Sequence, residues 1–214
     1  MNRLAKLGVI LPLVLLAACT GDTTNARLTR LVANYVTGTN EKAPRDFVAA
    51  IPYATLGLEY GFTPQVVLVL GRAVDEERDW YAGEAVYVST RRGRIVRTAG
   101  LPYDLGGLRP VAAGQPGANA ISYMVDFPDL SIFGAPVLCT TTDGGAETIE
   151  IFGAGIPTRR VIEHCSVPAL RWTFDNEYWE DRATRYVWRS RQFVHPKSGA
   201  IVLEVLRPEE MAPG

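Results

Sequence analysis

From residue 54 onward the chain is written mostly in short runs of apolar or alternating residues, each stopped by a turn signal. That cadence constrains the fold more than any other feature, because strands need only four to eight such residues between punctuation. Residues 54–60 and 65–71 flank the hairpin-like stretch 61–64. The continuous apolar run 66–70 predicts a strand buried on both faces. Residues 75–79 predict a charged loop. Residues 78–82, 85–90 and 94–99 are linked by Gly83-Glu84 and by Arg91-Arg92-Gly93, two tight turns in succession, which predicts a meander. Residues 101–108 predict a short helical turn, and the Gly-, Pro- and Ala-rich stretch 109–120 a loop. Strands are then expected at 121–127, 137–142, 148–152, 160–166, 171–178, 185–194 and 201–206, the last two joined through Pro196-Lys197-Ser198-Gly199. No fixed-period repeat is visible, so a propeller or solenoid is not expected. The expectation is a mainly β fold, either an antiparallel β-sandwich or barrel-like sheets. A short amphipathic helix precedes it, because Leu28, Leu31, Val32 and Tyr35 fall at helical spacing before Gly38.

The first nineteen residues read differently. Arg3 and Lys6 are followed by a ten-residue apolar run, 7–16, too short for a permanent span of about 20 residues but right for a signal-peptide core. It ends in Leu16-Ala17-Ala18-Cys19, which looks like a bacterial lipobox. On that reading residues 1–18 are removed and Cys19 carries diacylglycerol and an N-acyl chain. Residues 19–24 form a lipidated tether, and 25–214 a single β-rich periplasmic domain. Each buried CH₂ of the acyl chains adds about 0.8 kcal/mol of membrane affinity, so two or three chains anchor stably. Thr20, rather than Asp, follows the cysteine, which points to the outer membrane facing the periplasm. Removing 18 of 214 residues leaves 196, and losing Arg3 and Lys6 shifts the formal net charge from −1 to −3. A mildly acidic chain is not a generic nucleic-acid binder.

Cys139 and Cys165 remain, an even number in an oxidising compartment. A disulfide is favoured, and two buried free thiols are the alternative. His164 sits beside Cys165, but strand neighbours point to opposite faces, which argues against a catalytic pairing. The only other histidine is His195, and there is no HxH, HExxH or CxxC, so no metal site is expected. No GxGxxG opens a helix after a strand, and neither GxxxxGK[ST] nor GxSxG occurs. No catalytic residue and no cofactor beyond the covalent lipid is expected. Glu180-Asp181 reads as a solvated turn.

One cluster offers a surface. By parity Trp172, Phe174 and Tyr178 share a strand face, and Tyr186 and Trp188 share one on the next strand. A hairpin between them would gather aromatics able to stack on sugar rings, or equally a core ladder. Arg189 and Arg191 lie opposite Trp188. Trp172, Tyr178, Trp188, Arg189 and Arg191 are therefore the candidate glycan or partner surface.

Several segments together resemble the YjbF/GfcB family of lipoproteins, encoded with exopolysaccharide and group 4 capsule secretion genes. They are Ile51-Pro52-Tyr53-Ala54-Thr55-Leu56, the apolar strand 66–70, Arg92-Gly93-Arg94-Ile95-Val96-Arg97-Thr98-Ala99-Gly100-Leu101-Pro102-Tyr103-Asp104-Leu105, Asn176-Glu177-Tyr178-Trp179, Val187-Trp188-Arg189-Ser190-Arg191 and Glu204-Val205-Leu206-Arg207-Pro208. The resemblance covers nearly all of the mature chain in order and is weakest over about 109–170. It implies a predominantly β periplasmic domain with a role in polysaccharide production or export, and it carries no catalytic signature. The expected partners are the membrane, through the lipid, and polysaccharide export proteins or the polysaccharide itself. A polysaccharide-trimming enzyme and a structural assembly factor of the export apparatus are the alternatives.

Overall fold

The structure, a computed structural model, describes residues 41–61, 63–111 and 120–209. The signal segment, Cys19 and the expected amphipathic helix at 25–38 lie outside these. The described elements are α1 (Arg45–Ala49), β1 (Thr55–Tyr60), β2 (Val66–Val74), β3 (Glu77–Ala82), β4 (Val86–Arg91), β5 (Arg94–Ala99), β6 (Gly107–Pro110), β7 (Ala120–Phe127), β8 (Ile132–Ile151), β9 (Ala154–Val167), β10 (Trp172–Glu180), β11 (Val187–Gln192) and β12 (Ile201–Arg207). All pair antiparallel in one twelve-stranded sheet, in the order β5-β4-β3-β2-β1-β12-β11-β10-β9-β8-β7-β6. Of the two architectures expected, the barrel-like one is found.

Connectivity explains why the sheet curls. Its two edges, β5 and β6, are consecutive in sequence. A flat sheet of twelve strands would hold them roughly 50 Å apart. The chain between Ala99 and Gly107 reaches about 27 Å at most. The sheet must therefore roll until the edges meet, and it nearly closes: Thr98 N–H donates to Leu105 O at 3.0 Å, just ahead of β6.

Period-2 alternation decides what faces inward. Leu56 and Leu58 on β1, Tyr123, Val125 and Phe127 on β7, and Ile201, Leu203 and Val205 on β12 form the interior core. A second apolar cluster lies outside the barrel, where Ala43 and Val48 pack with Ile149, Ile151 and Leu206. The β8–β9 hairpin reaches it by extending well past β7 and β10. A bulge between Asp143 and Gly145 bends it, with Gly145 at φ +87°, and Arg189 donates to Glu150 O at 2.8 Å where the β8–β9 arm crosses β11.

Several expectations are corrected. Residues 137–142 and 148–152 are one strand, because Asp143-Gly144-Gly145 bulges instead of turning. Residues 101–108 hold no helical turn. The Asp104 carboxylate accepts from Gly100 N–H, Leu101 N–H and Thr98 Oγ1, folding the segment into a loop that delivers Gly107 to β6. The expected charged loop at 75–79 shrinks to a two-residue turn, with Asp75 at φ +50°. Only Leu68 of the 66–70 run is fully buried. Val66 and Leu70 pack half-covered against the interior core, while Val67 and Val69 face the barrel exterior and are also half-covered. Among the described residues no helix is long and apolar enough to cross a membrane.

The cysteines are bonded. Cys139 and Cys165 are direct cross-strand partners on β8 and β9, with Cα atoms 4.1 Å apart and both side chains in the interior core. His164, one residue away, faces out as parity requires, its Nδ1 2.8 Å from Asp175. His195 is wholly buried. Its Nδ1 accepts from the Lys197 N–H, so its Nε2–H donates to Asp129 at 3.0 Å, and its ring stacks on Tyr103.

A candidate functional site at the barrel seam

β5 meets β6 at its Thr98 end only. Its other end crosses to β11, where the β4–β5 turn rests on Val187. Gly93 is required there twice over: its φ is +77°, and a Cβ would lie 2.5 Å from Val187 Cβ. Between these two contacts the seam opens into a cleft of about 500 Å³, within the size range of small-ligand sites. Arg91, Arg92 and Arg94 come from the β4–β5 hairpin, Tyr123 from β7, Glu163 from β9, Tyr178 and Glu180 from β10, and Arg185 from the following turn. Val96, Leu108, Pro110 and Ile121 supply the apolar wall.

The floor is a buried ion pair. Arg94 donates from both terminal nitrogens to Glu163, at 2.6 and 2.7 Å, and its guanidinium lies over the rings of Tyr123 and Tyr178 at 4.8 and 5.0 Å. Burial opposes the charge on Arg94, but Tyr178, Glu163 and Tyr123 outweigh it and raise its pKa, so it stays cationic. Burial first, helped by Glu163 and Tyr123, pushes the Tyr178 phenol well above its ordinary value against the pull of Arg94, so it stays neutral. Gln192 braces the same floor. It accepts from Ile95 N–H and donates to Gly93 O, serving the free edge of β5 as a neighbouring strand would.

The rim is more open. Glu76 is shared by Arg91 and Arg92, and Arg185 pairs with Glu180 at 3.0 Å. Two buried rim atoms have no hydrogen-bond partner, Glu180 Oε1 and Arg91 Nε. Burial raises the pKa of Glu180 above the ordinary glutamate value, against the pull of Arg185 and Arg159. A carboxyl with a raised folded-state pKa binds its proton more tightly when folded. Its contribution is therefore most favourable at low pH and declines as pH rises from the ordinary glutamate value through its own. Glu180→Gln is expected to gain stability over the wild type between about pH 4 and pH 7. Urea unfolding at both pH values measures this, and a difference that does not change with pH refutes it.

The five residues expected to form one surface do not share a face. Trp172 points inward, stacked on Phe174 at 4.1 Å and edge-on to Phe127. Tyr178 is buried in the cleft floor. Trp188 is half-buried against both apolar clusters, edge-on to Tyr186. Arg189 points outward to the buried Glu204, and Arg191 lies 3.7 Å from Glu177. Only Tyr178 reaches the cleft. The expected solvated turn Glu180-Asp181 splits: Asp181 is solvent-facing and caps Ala183 and Thr184, while Glu180 is buried.

Cys139, Cys165 and Glu163 bring ligand-type atoms within 4.8 Å of one another. Both sulfurs are committed to the disulfide and both Glu163 oxygens to Arg94, so this group is not available to an ion. Glu180 lies four residues along β10 from Asn176, the partner of Glu163. That is roughly 13 Å of backbone along the strand. What the cleft offers chemically is a concave set of donors and acceptors.

Sequence reasoning missed Arg91, Arg92, Arg94 and Glu163 as a site. One signal was present: Glu163 has the same inward parity as Cys165 and Val167, and a carboxylate on a core-facing position demands a partner.

Fold and site together define a nearly closed antiparallel β-barrel-like protein with a charged cleft at its seam. The chain belongs to the YjbF family, described as group 4 capsule polysaccharide lipoprotein gfcB, YjbF, whose model matches residues 22–206. It is 25% identical over 171 residues to the lipoprotein GfcB of Escherichia coli K12, covering 75% of this chain and 79% of that protein. Its fold resembles the crystal structure of the hypothetical lipoprotein YmcC of Escherichia coli K12, with a TM-score of 0.64, 21% identity and coverage of 87% of this chain and 96% of that one.

Proposed function

We propose that this chain is a lipid-anchored envelope protein that supports capsule or exopolysaccharide production or export by binding the glycan or a partner export protein. Residues 1–18 are a signal peptide, Cys19 carries the lipid, 19–24 are a tether, and 25–214 form a single domain facing the periplasm from the outer membrane. The family match over residues 22–206 carries the polysaccharide role. The lipobox-like Leu16-Ala17-Ala18-Cys19 supports the anchor. The cleft supports binding, since its floor charges are spent on each other while at the rim two arginines share one glutamate and Arg91 Nε and Glu180 Oε1 lack a hydrogen-bond partner.

Deletion is expected to lower the amount or alter the chain length of extracellular polysaccharide, measured in the whole culture. Normal amount and length would sink the export role. A Cys19→Ser strain is expected to reproduce the deletion phenotype, and unchanged export there would show anchoring to be dispensable. A second reading, a polysaccharide-trimming enzyme, is favoured by the raised pKa of Glu180. It requires that the purified chain shorten the polysaccharide and that Glu180→Gln abolish this.

A further inference from the structure

We infer that the seam cleft binds acidic saccharide units, with a ring carboxylate held by the Arg91 and Arg92 guanidiniums and ring hydroxyls donated to Glu180. This deepens the polysaccharide role above and rests on it. Charge comes first. The whole chain is slightly acidic, with 22 Lys and Arg against 23 Asp and Glu, so it has no general affinity for polyanions. Within the cleft the balance is reversed, with four arginines against three glutamates. The excess sits at the rim, where two guanidiniums share the single carboxylate of Glu76. The Arg91 side chain is 40% exposed and its contact with Glu76 is 3.6 Å, so it donates no hydrogen bond there. A ligand carboxylate supplies the missing acceptor in bidentate geometry.

The glutamates then select among anions. A densely charged polyanion would be repelled by Glu76 and Glu180 at the rim. A sugar acid carries one carboxylate per ring and several hydroxyls, and the hydroxyls are donors. Glu180 Oε1, buried in the cleft wall without a partner, accepts one. Val96, Leu108 and Ile121 offer apolar surface to the C–H face of a ring. The volume of about 500 Å³ suits a short oligosaccharide segment.

The test uses the full chain in detergent, titrated calorimetrically with tetragalacturonate, maltotetraose and a hexaglutamate peptide. Tetragalacturonate is expected to bind, and the neutral maltotetraose is not. Arg91→Ala with Arg92→Ala is expected to weaken tetragalacturonate at least about tenfold. Arg109→Ala removes a charge next to the cleft but on the opposite face of β6, and is expected to change nothing. Unaltered thermal unfolding of the double variant excludes misfolding as the cause. The inference is overturned if tetragalacturonate does not bind, if the double variant binds it equally, or if hexaglutamate binds as tightly. Any of these leaves the export role standing when deletion still changes the polysaccharide. Loss of the export role is read separately, from normal polysaccharide in the deletion strain.

Discussion

Glu163→Gln is expected to destabilise the fold by about 3 kcal/mol. The side chain is wholly buried, and both its oxygens hold the Arg94 guanidinium at 2.6 and 2.7 Å. Gln keeps the shape and one acceptor, but it leaves a buried cation without its counter-charge. Removing one partner of such a pair typically costs about 3–5 kcal/mol, and the retained acceptor places this change at the lower end. The loss extends beyond the pair, since Asn176 donates to Glu163 and Gln192 ties the same floor to β5. In a chain of this size the midpoint is expected to fall roughly 6–12 °C. Replacing both partners, Arg94→Met with Glu163→Met, is expected to cost less than Glu163→Gln alone, because no charge is left stranded. The exposed pair Arg109–Asp126 gives the contrast, with Arg109→Gln expected to cost under about 1 kcal/mol. Urea unfolding of all three variants at neutral pH decides this. If Glu163→Gln costs less than about 1 kcal/mol, water reaches the pair and it is not a buried ion pair.

This pair also shows where sequence reading stops. Alternation is a local property, so it grouped Trp172, Phe174 and Tyr178 on one face of β10 and gave the opposed orientations of His164 and Cys165. It gave the meander β3–β5 because each turn lies between the strands it joins. Pairing across distance leaves no such trace. Arg94 and Glu163 are 69 residues apart, and they meet because β5 closes the sheet from the far edge. The aromatic residues were expected on one surface because their hairpin is real. Parity already set Arg189 and Arg191 opposite Trp188, and closure of the sheet turned the face bearing Trp172 and Tyr178 into the barrel, so proximity in the hairpin did not become a shared face. The β8–β9 arm was missed for the opposite reason. Asp143-Gly144-Gly145 has the composition of a turn, and only the pairing on both sides of it shows a bulge.

Removing the disulfide, by Cys139→Ala with Cys165→Ala, is expected to cost about 3–4 kcal/mol. The bond closes a chain segment of sequence separation 26, and its entropic effect falls on the unfolded chain, which gains the conformations the link forbids. The folded register is secured without it. β8 and β9 pair from Leu138–Ser166 to Ile151–Ala154, and the two cysteines merely face each other within that ladder. The variant is therefore expected to keep its far-ultraviolet spectrum and to unfold at lower urea with an altered slope, because the unlinked unfolded chain exposes more surface. Access distinguishes this from a contact effect. Cys139 and Cys165 are 3% and 5% exposed, so a reductant acts only on opened molecules, and reduction of the native wild type should track the unfolding rate. If the bond in native protein is reduced at once with no loss of stability, the link constrains nothing. If the alanine variant loses less than about 1 kcal/mol, the β8–β9 hairpin persists in the unfolded chain and already imposes the constraint attributed to the sulfurs.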